Sequence, residues 1–259
     1  MKPAPACPIL AGYYVISLRP AGEHAVLRRV VTRHGARLFA LSPWRVVHLD
    51  ATSTRRDLDA ALDAERVVFT SPAAVAAAAA LRPLRARAGQ VWLAVGSGSA
   101  RALRRAGIGE VEAPTRMDSD GLLALPALQS LAGLRVGLVT APGGRGRIAD
   151  AVREAGASLR RADVYLREPL TLSPARIAAL RGCDGPWLLP LSSGEALQRI
   201  DAALPADLRE RLRAAQVLAA SDRLAALAAT LGFRDVRRAR DARPASLLAA
   251  AMPSTAPIA

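Results

Sequence analysis

Cysteine is almost absent from this sequence, which has 259 residues and only two cysteines, Cys7 and Cys183. They lie far apart and have no ligand-like spacing with the three histidines, so we expect neither a structural disulfide nor a zinc site. Aromatic residues are also scarce, at 3% of the chain, although 51% of the residues are hydrophobic. The core must therefore consist mainly of Leu, Val and Ala side chains.

Long apolar runs are missing as well. No run reaches the roughly 20 residues that a membrane-spanning helix requires. Residues 1–12 contain too short an apolar stretch for a secretory signal. We therefore expect a cytoplasmic protein without a membrane partner, and a chain of this length can bury the cores of two domains.

Lysine is missing apart from Lys2, so the net charge of +14 comes from arginines. The arginines are spread over most of the predicted helices, and no helix-turn-helix, zinc-finger or RNA-binding motif accompanies them. We therefore expect no nucleic-acid partner, and a basic nucleic-acid binder ranks third among the hypotheses. A small polyanionic ligand would use the same positive field.

The chain contains an internal repeat. Segment 68–75 (VFTSPAAV) has a weaker echo in 189–197 (LPLSSGEAL), and segments 15–35 and 136–156 each read as a strand, a helix and a closing glycine. The order along the chain is A, B, A′, B′, and these patterns leave open whether A pairs with B or with B′. Two similar units predict a cleft between them.

Strand-to-helix units alternate along the chain, which predicts parallel sheets covered by helices on both faces. Arg37–Leu49 reads as extended and is too long for one compact strand, so it is a candidate connection between two bodies. The first predicted strand and helix are Tyr13–Leu18 and Glu23–His34, and the further strand-to-helix units are Val67–Ala80, Val91–Ala106, Leu134–Ala155, Leu188–Ile200 and Val217–Leu231.

Ligands of open α/β sheets bind where the strands end and the helices begin. Small hydroxyl residues and glycines occupy these positions here, and they let a ligand carboxylate approach the backbone N–H groups. Each serine or threonine is equally an ordinary helix N-cap, and the two roles are compatible. The loops are Thr70-Ser71-Pro72, Gly96-Ser97-Gly98-Ser99, Pro142-Gly143-Gly144-Arg145, Ser192-Ser193-Gly194 and Ser221-Asp222-Arg223.

Nucleotide and nucleophile motifs are absent. The Gly96 loop is too incomplete a glycine pattern for a dinucleotide, and no P-loop sequence exists, so no cofactor is indicated. We expect His24 and His34 at the surface and His48 in a structural position. An enzyme of this composition would act mainly by positioning its substrate and stabilising charge.

These loops, in this order, resemble those of the uroporphyrinogen-III synthase family from Val15 to Ala251. The most specific parts are 68–75, Val95-Gly96 with Ser99-Ala100, and Gly143-Gly144-Arg145, and Val164-Tyr165 and Ser193-Gly194 follow in the expected places. The resemblance implies a cytoplasmic, cofactor-free and monomeric enzyme. It would cyclise hydroxymethylbilane to uroporphyrinogen III, with loss of water and inversion of ring D.

The resemblance also implies the architecture: two doubly wound parallel-sheet domains of the Rossmann or flavodoxin type, joined by a two-stranded linker, with a cleft between them. Domain one would be 1–38 plus 168–259, and domain two would be the inserted segment 39–167, so that A pairs with B′ and B with A′. The linker strands would be Arg37–Val47 and Ala157–Arg167.

The site residues follow from the same resemblance. Tyr165 would be catalytic, with its phenol bonded to the departing hydroxyl or helping to protonate it; the alternative is an aromatic residue that only packs. No metal is implied. The substrate-binding residues would be Arg19, Thr70, Ser71, Gly96, Ser99, Gly144, Arg145, Ser193, Gly194, Ser221 and Arg223.

Two positions depart from the pattern of the family. Thr140-Ala141 stands where many relatives have Arg-Gly, and Leu224 stands where many have threonine. These departures favour the alternative function, a non-catalytic tetrapyrrole- or anion-binding module of the same fold. Tyr165 and the serines at the strand ends favour the enzyme.

Overall fold

The computed structural model describes residues 9–143 and 146–251. The chain divides into two compact units: unit 1 comprises Met1–Arg45 and Pro169–Ala259, and unit 2 comprises Val46–Glu168. Unit 2 is therefore one continuous segment inserted into the sequence of unit 1. The domain boundaries and the cleft inferred from the resemblance stay predictions.

Strands and helices alternate along most of the described chain. The strands are β1 (Tyr14–Ser17), β2 (Arg37–Ala40), β3 (Trp44–His48), β4 (Arg66–Phe69), β5 (Val91–Ala94), β6 (Arg135–Thr140), β7 (Ser158–Asp163), β8 (Tyr165–Pro169), β9 (Trp187–Leu191), β10 (Gln216–Ala219) and β11 (Val236–Arg238). The α-helices are α1 (Ala25–Arg33), α2 (Thr52–Leu62), α3 (Pro72–Leu81), α4 (Ser97–Arg105), α5 (Ser119–Leu123), α6 (Arg147–Glu154), α7 (Pro174–Arg181), α8 (Gly194–Ala203), α9 (Ala206–Arg213), α10 (Asp222–Thr230) and α11 (Pro244–Ala249).

Unit 1 is built on a parallel sheet in the order β11-β10-β9-β1-β2. Successive side chains of a strand point to opposite faces, so Val15 and Ile16 belong to different cores. Val15 packs with residues of α1 and α11, whereas Ile16 packs with residues of α8, α9 and α10. The sheet of unit 1 is thus covered by helices on both faces.

Unit 2 is built on a parallel sheet in the order β5-β4-β6-β7. Phe69 and Trp92 stack with 5.7 Å between their ring centroids and belong to the core that includes residues of α3 and α4. Val68 and Leu93 belong to the opposite core, together with residues of α6. The predicted fold class, parallel α/β sheets covered on both faces, is confirmed.

The sheet pairings show how the repeated segments combine. In unit 1, β1 and β2 of segment A lie beside β9 of segment B′, and in unit 2, β4 and β5 of segment B lie beside β6 and β7 of segment A′. The closing glycines of the repeat, Gly35 and Gly156, have positive φ angles of 78° and 75°. This conformation suits glycine at the end of a helix and explains the conserved position of the residue in both copies.

The predicted linker strands were too long. β3 and β8 form a two-stranded sheet, whereas Arg37–Ala40 joins the sheet of unit 1 and Ser158–Asp163 joins the sheet of unit 2. The prediction is therefore right for the second half of each range and wrong for the first half. The chain changes sheets between β2 and β3 at Pro43, which has no N–H group to continue a ladder.

No helix in the described part of the chain is both long and apolar enough to cross a bilayer. Within the same residues, no group of three or more His, Cys, Asp or Glu side chains is arranged to hold a metal ion. Cys183 is buried and free, and Cys7 lies outside the described residues.

Candidate functional site

Each sheet has a point where the strand order reverses, and open α/β sheets bind ligands at the carboxyl ends of the strands that flank this point. In unit 2 the reversal lies between β4 and β6, because β5 is on the other side of β4. In unit 1 it lies between β1 and β9, because β2 is on the other side of β1. Most of the residues predicted from the sequence follow these four strands.

Two hydrogen-bonded pairs of hydroxyl groups lie at the reversal point of unit 2. The Thr70 hydroxyl, after β4, donates a hydrogen bond to the Thr140 hydroxyl at the end of β6, with 2.9 Å between the oxygens. The Ser71 hydroxyl lies 3.0 Å from the Tyr165 hydroxyl, and either group can be the donor. Thr70, Ser71 and Tyr165 were all predicted, and Thr140 was considered only as a departure from the family.

Tyr165 has a buried ring and a hydroxyl at the sheet end. The residue is 3% exposed and belongs to the core of unit 2. Val164, the residue before it, donates its N–H to the Thr140 carbonyl, 3.0 Å away, and this bond fixes the start of β8 beside the end of β6. The geometry fits both roles weighed for Tyr165, since the ring packs while the hydroxyl contacts Ser71.

Ser71 is the N-cap of α3. Its hydroxyl oxygen accepts a hydrogen bond from the N–H of Ala74 at 3.1 Å, which satisfies one of the free donors at the helix start. A serine hydroxyl has a second lone pair and one proton to share, and these are available to Tyr165. The cap therefore fixes the position of the group that orients the phenol.

Gly96 and Ser99 lie at the start of α4, beside the end of β5. Gly96 is the N-cap, and no side chain caps this helix. A Cβ atom at Gly96 would lie 3.3 Å from the Cβ of Met117, so the glycine permits a close contact with that side chain. Ser99 is 4% exposed and is the third residue of the helix, so it is not the N-cap that was considered as its alternative role.

The loop between β6 and α6 contains two predicted residues, Gly144 and Arg145, which lie outside the described residues. Before them, the Ala141 carbonyl accepts a hydrogen bond from Nη2 of Arg161 at 3.1 Å. The same guanidinium pairs with Asp163 at 3.0 Å. An arginine of β7 thus contacts the start of the loop that follows β6, and the sequence spacing gives no signal for this contact.

Ser193, Gly194, Ser221 and Arg223 come together in unit 1. Ser193 and Ser221 are the N-caps of α8 and α10, and each accepts a hydrogen bond from a backbone N–H at 3.3 Å. A Cβ atom at Gly194 would lie 2.5 Å from Leu227 and 3.8 Å from Nη1 of Arg223. Gly194 therefore allows α10 to approach closely and lies beside a guanidinium that forms no ion pair within the described residues.

Arg19 follows β1, on the opposite side of the reversal point from Ser193. Burial lowers the pKa of Arg19, and the negative charge of Glu23 partly opposes this effect. Arginine stays protonated at neutral pH despite such shifts. The residue therefore places a half-buried positive charge at the sheet end of unit 1.

His24 is buried, so its predicted surface position is wrong. It is 8% exposed, its Nδ1 lies 2.9 Å from the Ser17 hydroxyl and its Nε2 lies 2.9 Å from the Ser42 hydroxyl. Burial, followed by the positive charges of Arg28, Arg19 and Arg176, lowers the pKa of His24 to about 4. The neutral imidazole thus joins the end of β1 to the segment after β2.

The other two histidines differ from His24. His34 is half-buried at the end of α1, and His48 is exposed on β3. The expected surface position of His34 holds only in part, and the structural role expected for His48 stays a prediction.

Comparisons with known proteins identify relatives of this chain. The family model described as "Uroporphyrinogen-III synthase HemD" matches residues 25–249. The uroporphyrinogen-III synthase of Salmonella typhimurium is 33% identical over 208 residues, which are 77% of this chain and 80% of that protein. The uroporphyrinogen-III synthase of Escherichia coli is 32% identical over 161 residues, which are 61% of this chain and 65% of that protein.

A solved structure shares the fold. It is a mutant uroporphyrinogen III synthase from Thermus thermophilus, with a TM-score of 0.61, and the match covers 92% of this chain and 96% of that one. The two sequences are 19% identical, so this likeness concerns the fold.

Proposed function

The chain belongs to the uroporphyrinogen-III synthase family, and we propose that it acts on its substrate at the strand-end residues around Tyr165. Members of this family are lyases of tetrapyrrole biosynthesis, which close the linear hydroxymethylbilane to uroporphyrinogen III. The reaction removes the terminal hydroxyl as water and inverts ring D. The electron-rich pyrrole expels the hydroxyl, which leaves most readily when a hydrogen bond stabilises its developing charge.

The observation that supports this assignment is the 3.0 Å contact between the hydroxyls of Ser71 and Tyr165. It lies at the reversal point of the sheet of unit 2, where ligands of this fold class bind. Ser71 is itself fixed as a helix cap, so it can hold the phenol in one orientation. Tyr165 then donates a hydrogen bond to the departing hydroxyl and can supply the proton that leaves with it.

The substrate has acetate and propionate carboxylates on its rings. We propose that these bind to the strand-end loops: Gly96 and Ser99 in unit 2, and Ser193, Gly194 and Ser221 in unit 1. Helix N-termini favour anions through their free N–H groups and their dipoles. Arg19 and Arg223 add positive charge in unit 1. Holding the flexible chain near its closed form would lower the entropy barrier to ring closure.

We further propose that the protein acts as a monomer in the cytoplasm, with hydroxymethylbilane as its substrate and no nucleic-acid partner. Many of the arginines pair with carboxylates, as in Arg135–Glu65, Arg181–Asp207 and Arg213–Asp201. This pairing reduces the positive field that a nucleic acid would meet. A single species of about 27 kDa in solution scattering would support the monomer.

The test is the isomer ratio of the product. Purified protein is added to freshly generated hydroxymethylbilane, which otherwise closes spontaneously to the type I ring, and the isomers are separated by chromatography. We expect mainly the type III isomer. Type I alone, combined with tight binding of uroporphyrinogen, would favour the second candidate, a tetrapyrrole-binding module without activity, to which the Thr140 and Leu224 departures point.

A further inference from the structure

Met117 is an apolar side chain exposed at the sheet end of unit 2. It is 55% exposed, although single exposed apolar residues are common on protein surfaces and need no explanation by themselves. Met117 differs from such residues in its position, because its side chain contacts Gly96, one of the residues predicted to bind substrate. The distances from a Cβ atom built at Gly96 to Cβ, Cγ and Sδ of Met117 are 3.3, 3.6 and 3.7 Å.

The neighbouring helix start fixes the sulfur end of Met117. The Ser97 hydroxyl donates a hydrogen bond to Sδ, with 3.5 Å between the two atoms. Ser97 is the first residue of α4, a helix of nine residues whose N-terminus has no side-chain cap. The exposed side chain of Met117 therefore lies beside the start of α4.

The backbone on the other side of Met117 is braced. Arg116 pairs through Nε with Asp118 at 2.7 Å and through Nη2 with Asp120 at 2.8 Å. Asp118 also caps α5 by accepting the N–H of Gly121 at 2.8 Å. A Cβ atom at Gly121 would lie 1.9 Å from the Arg116 carbonyl, so the tight turn requires glycine there.

This bracing matters because a backbone segment that becomes ordered only on binding loses conformational entropy, which weakens binding. The Arg116 ion pairs and the cap of α5 hold the backbone next to Met117, while the residue itself is 55% exposed. Methionine sulfur makes favourable contacts with aromatic rings. The substrate consists of electron-rich aromatic pyrroles, each with carboxylates attached.

We propose that Met117 is a substrate-binding residue against which one pyrrole ring of the tetrapyrrole packs. The proposal rests on the function proposed above and goes beyond it, because it assigns a residue that contacts a ring and not a carboxylate.

The test compares two variants of Met117 with the unmodified protein. Met117→Gln keeps the length of the side chain and makes it polar, whereas Met117→Leu keeps it apolar. We expect Met117→Gln to raise the KM for hydroxymethylbilane and the Kd for uroporphyrinogen III about three- to tenfold. The kcat should change by less than about twofold, and Met117→Leu should retain most of the affinity.

The matched control is Val26→Gln, at an apolar residue of similar exposure, 51%, on α1 in unit 1. It should leave KM and Kd unchanged, as should the thermal midpoints of all three variants. An unchanged KM and Kd in Met117→Gln would overturn the proposal, and so would equal losses in Met117→Gln and Met117→Leu. Failure of the unmodified protein to form the type III isomer would instead refute the proposed function, while the Kd series would still test Met117.

Discussion

One substitution separates the two roles of Tyr165, because its ring is buried and its hydroxyl bonds to Ser71. In Tyr165→Phe the ring keeps its packing, and only the 3.0 Å contact to Ser71 is lost. We expect kcat to fall about 100-fold, since a positioned proton donor typically contributes this much or more. The free energy of unfolding should fall by only about 1 kcal/mol. Isomer-resolved initial rates and urea unfolding measure the two effects.

Tyr14→Phe is the matched control. The Tyr14 hydroxyl accepts a hydrogen bond from Arg37 at 3.0 Å, on the surface of unit 1. Its removal should leave kcat unchanged. If Tyr165→Phe retained full activity, the residue would be assigned to packing alone.

His24 predicts a pH dependence of stability. Its folded pKa of about 4 lies below the usual value of 6.5, because burial and the neighbouring guanidiniums disfavour the charged form. The unfolded chain therefore binds more protons between these values, so the stabilisation is complete above pH 6.5 and is lost as the pH falls towards 4. We expect a loss of about 2 kcal/mol over this range, measured by urea unfolding at several pH values.

Two variants isolate this effect. His48→Gln, at an exposed histidine, should leave the slope between pH 6.5 and 4 unchanged. His24→Gln should reduce the slope and lower the stability at pH 7, because Ser17 is fully buried and would lose its partner. An unaltered slope in His24→Gln would contradict the assignment to His24.

Several residues of the site can be predicted from the sequence, but their contacts cannot. Tyr165 and Ser71 are each predicted from a motif, yet they are 94 residues apart in sequence. The pairing of β4 with β6 and the hydrogen bond from Val164 to Thr140 bring their hydroxyls together. The sequence predicts His24 at the surface because it includes the residue in the helix Glu23–His34, whereas in the structure His24 precedes α1. A one-residue shift in the helix start changes which face such a residue occupies, and the hydroxyls of Ser17 and Ser42 complete its environment.

At the scale of elements, helix capping and ligand binding can be separated. Ser71, Ser193 and Ser221 cap helices at the sheet ends, and Ser173 caps α7, which does not follow a strand of either large sheet. Each substitution by alanine should reduce the free energy of unfolding by about 1 kcal/mol. Only the first three should also raise the KM, which steady-state assays of the four variants would measure.

Ser173→Ala is thus the internal control for lost stability. If the other three variants all had the same KM as Ser173→Ala, their serines would be assigned to helix capping alone. If the KM increased only for variants in one unit, the carboxylate-binding loops would be restricted to that unit.

The elements predicted best were those in which an apolar strand runs directly into a helix, such as β4 with α3 and β10 with α10. The sequence pattern predicts no helix at α2, α7 or α9, since none of these directly follows a strand of either large sheet. α9 is strongly polar, with only Leu208 and Leu212 buried. The sequence indicates that 37–49 is too long for one strand, but it does not predict which sheet each half joins, because local sequence does not specify the partner of an extended segment.

At the scale of the molecule, unit 2 contains two complete cores made only of its own residues. We therefore expect a fragment of residues 44–169, which includes β3 and β8, to fold by itself. It should unfold cooperatively with heat, as domains with their own cores do. Calorimetry and circular dichroism of the isolated fragment would measure this.

Glycine variants show whether the fragment has its native packing. A Cβ atom at Gly137 would lie 1.9 Å from the Ala61 carbonyl, whereas one at Gly109 would meet nothing within 4 Å. Gly137→Ala should therefore destabilise the fragment strongly, and Gly109→Ala should not. A broad transition with equal effects of both substitutions would show that the fragment lacks the native fold.

The insertion of unit 2 into the sequence of unit 1 determines the order in which a nascent chain can complete its sheets. β1 and β2 leave the ribosome first, but β1 is paired with β9, which is synthesised only after all of unit 2. At the usual rates of translation the delay is roughly ten seconds. Unit 2 can complete its sheet during this time, while the edge of β1 waits for its partner and must be kept from pairing with another chain.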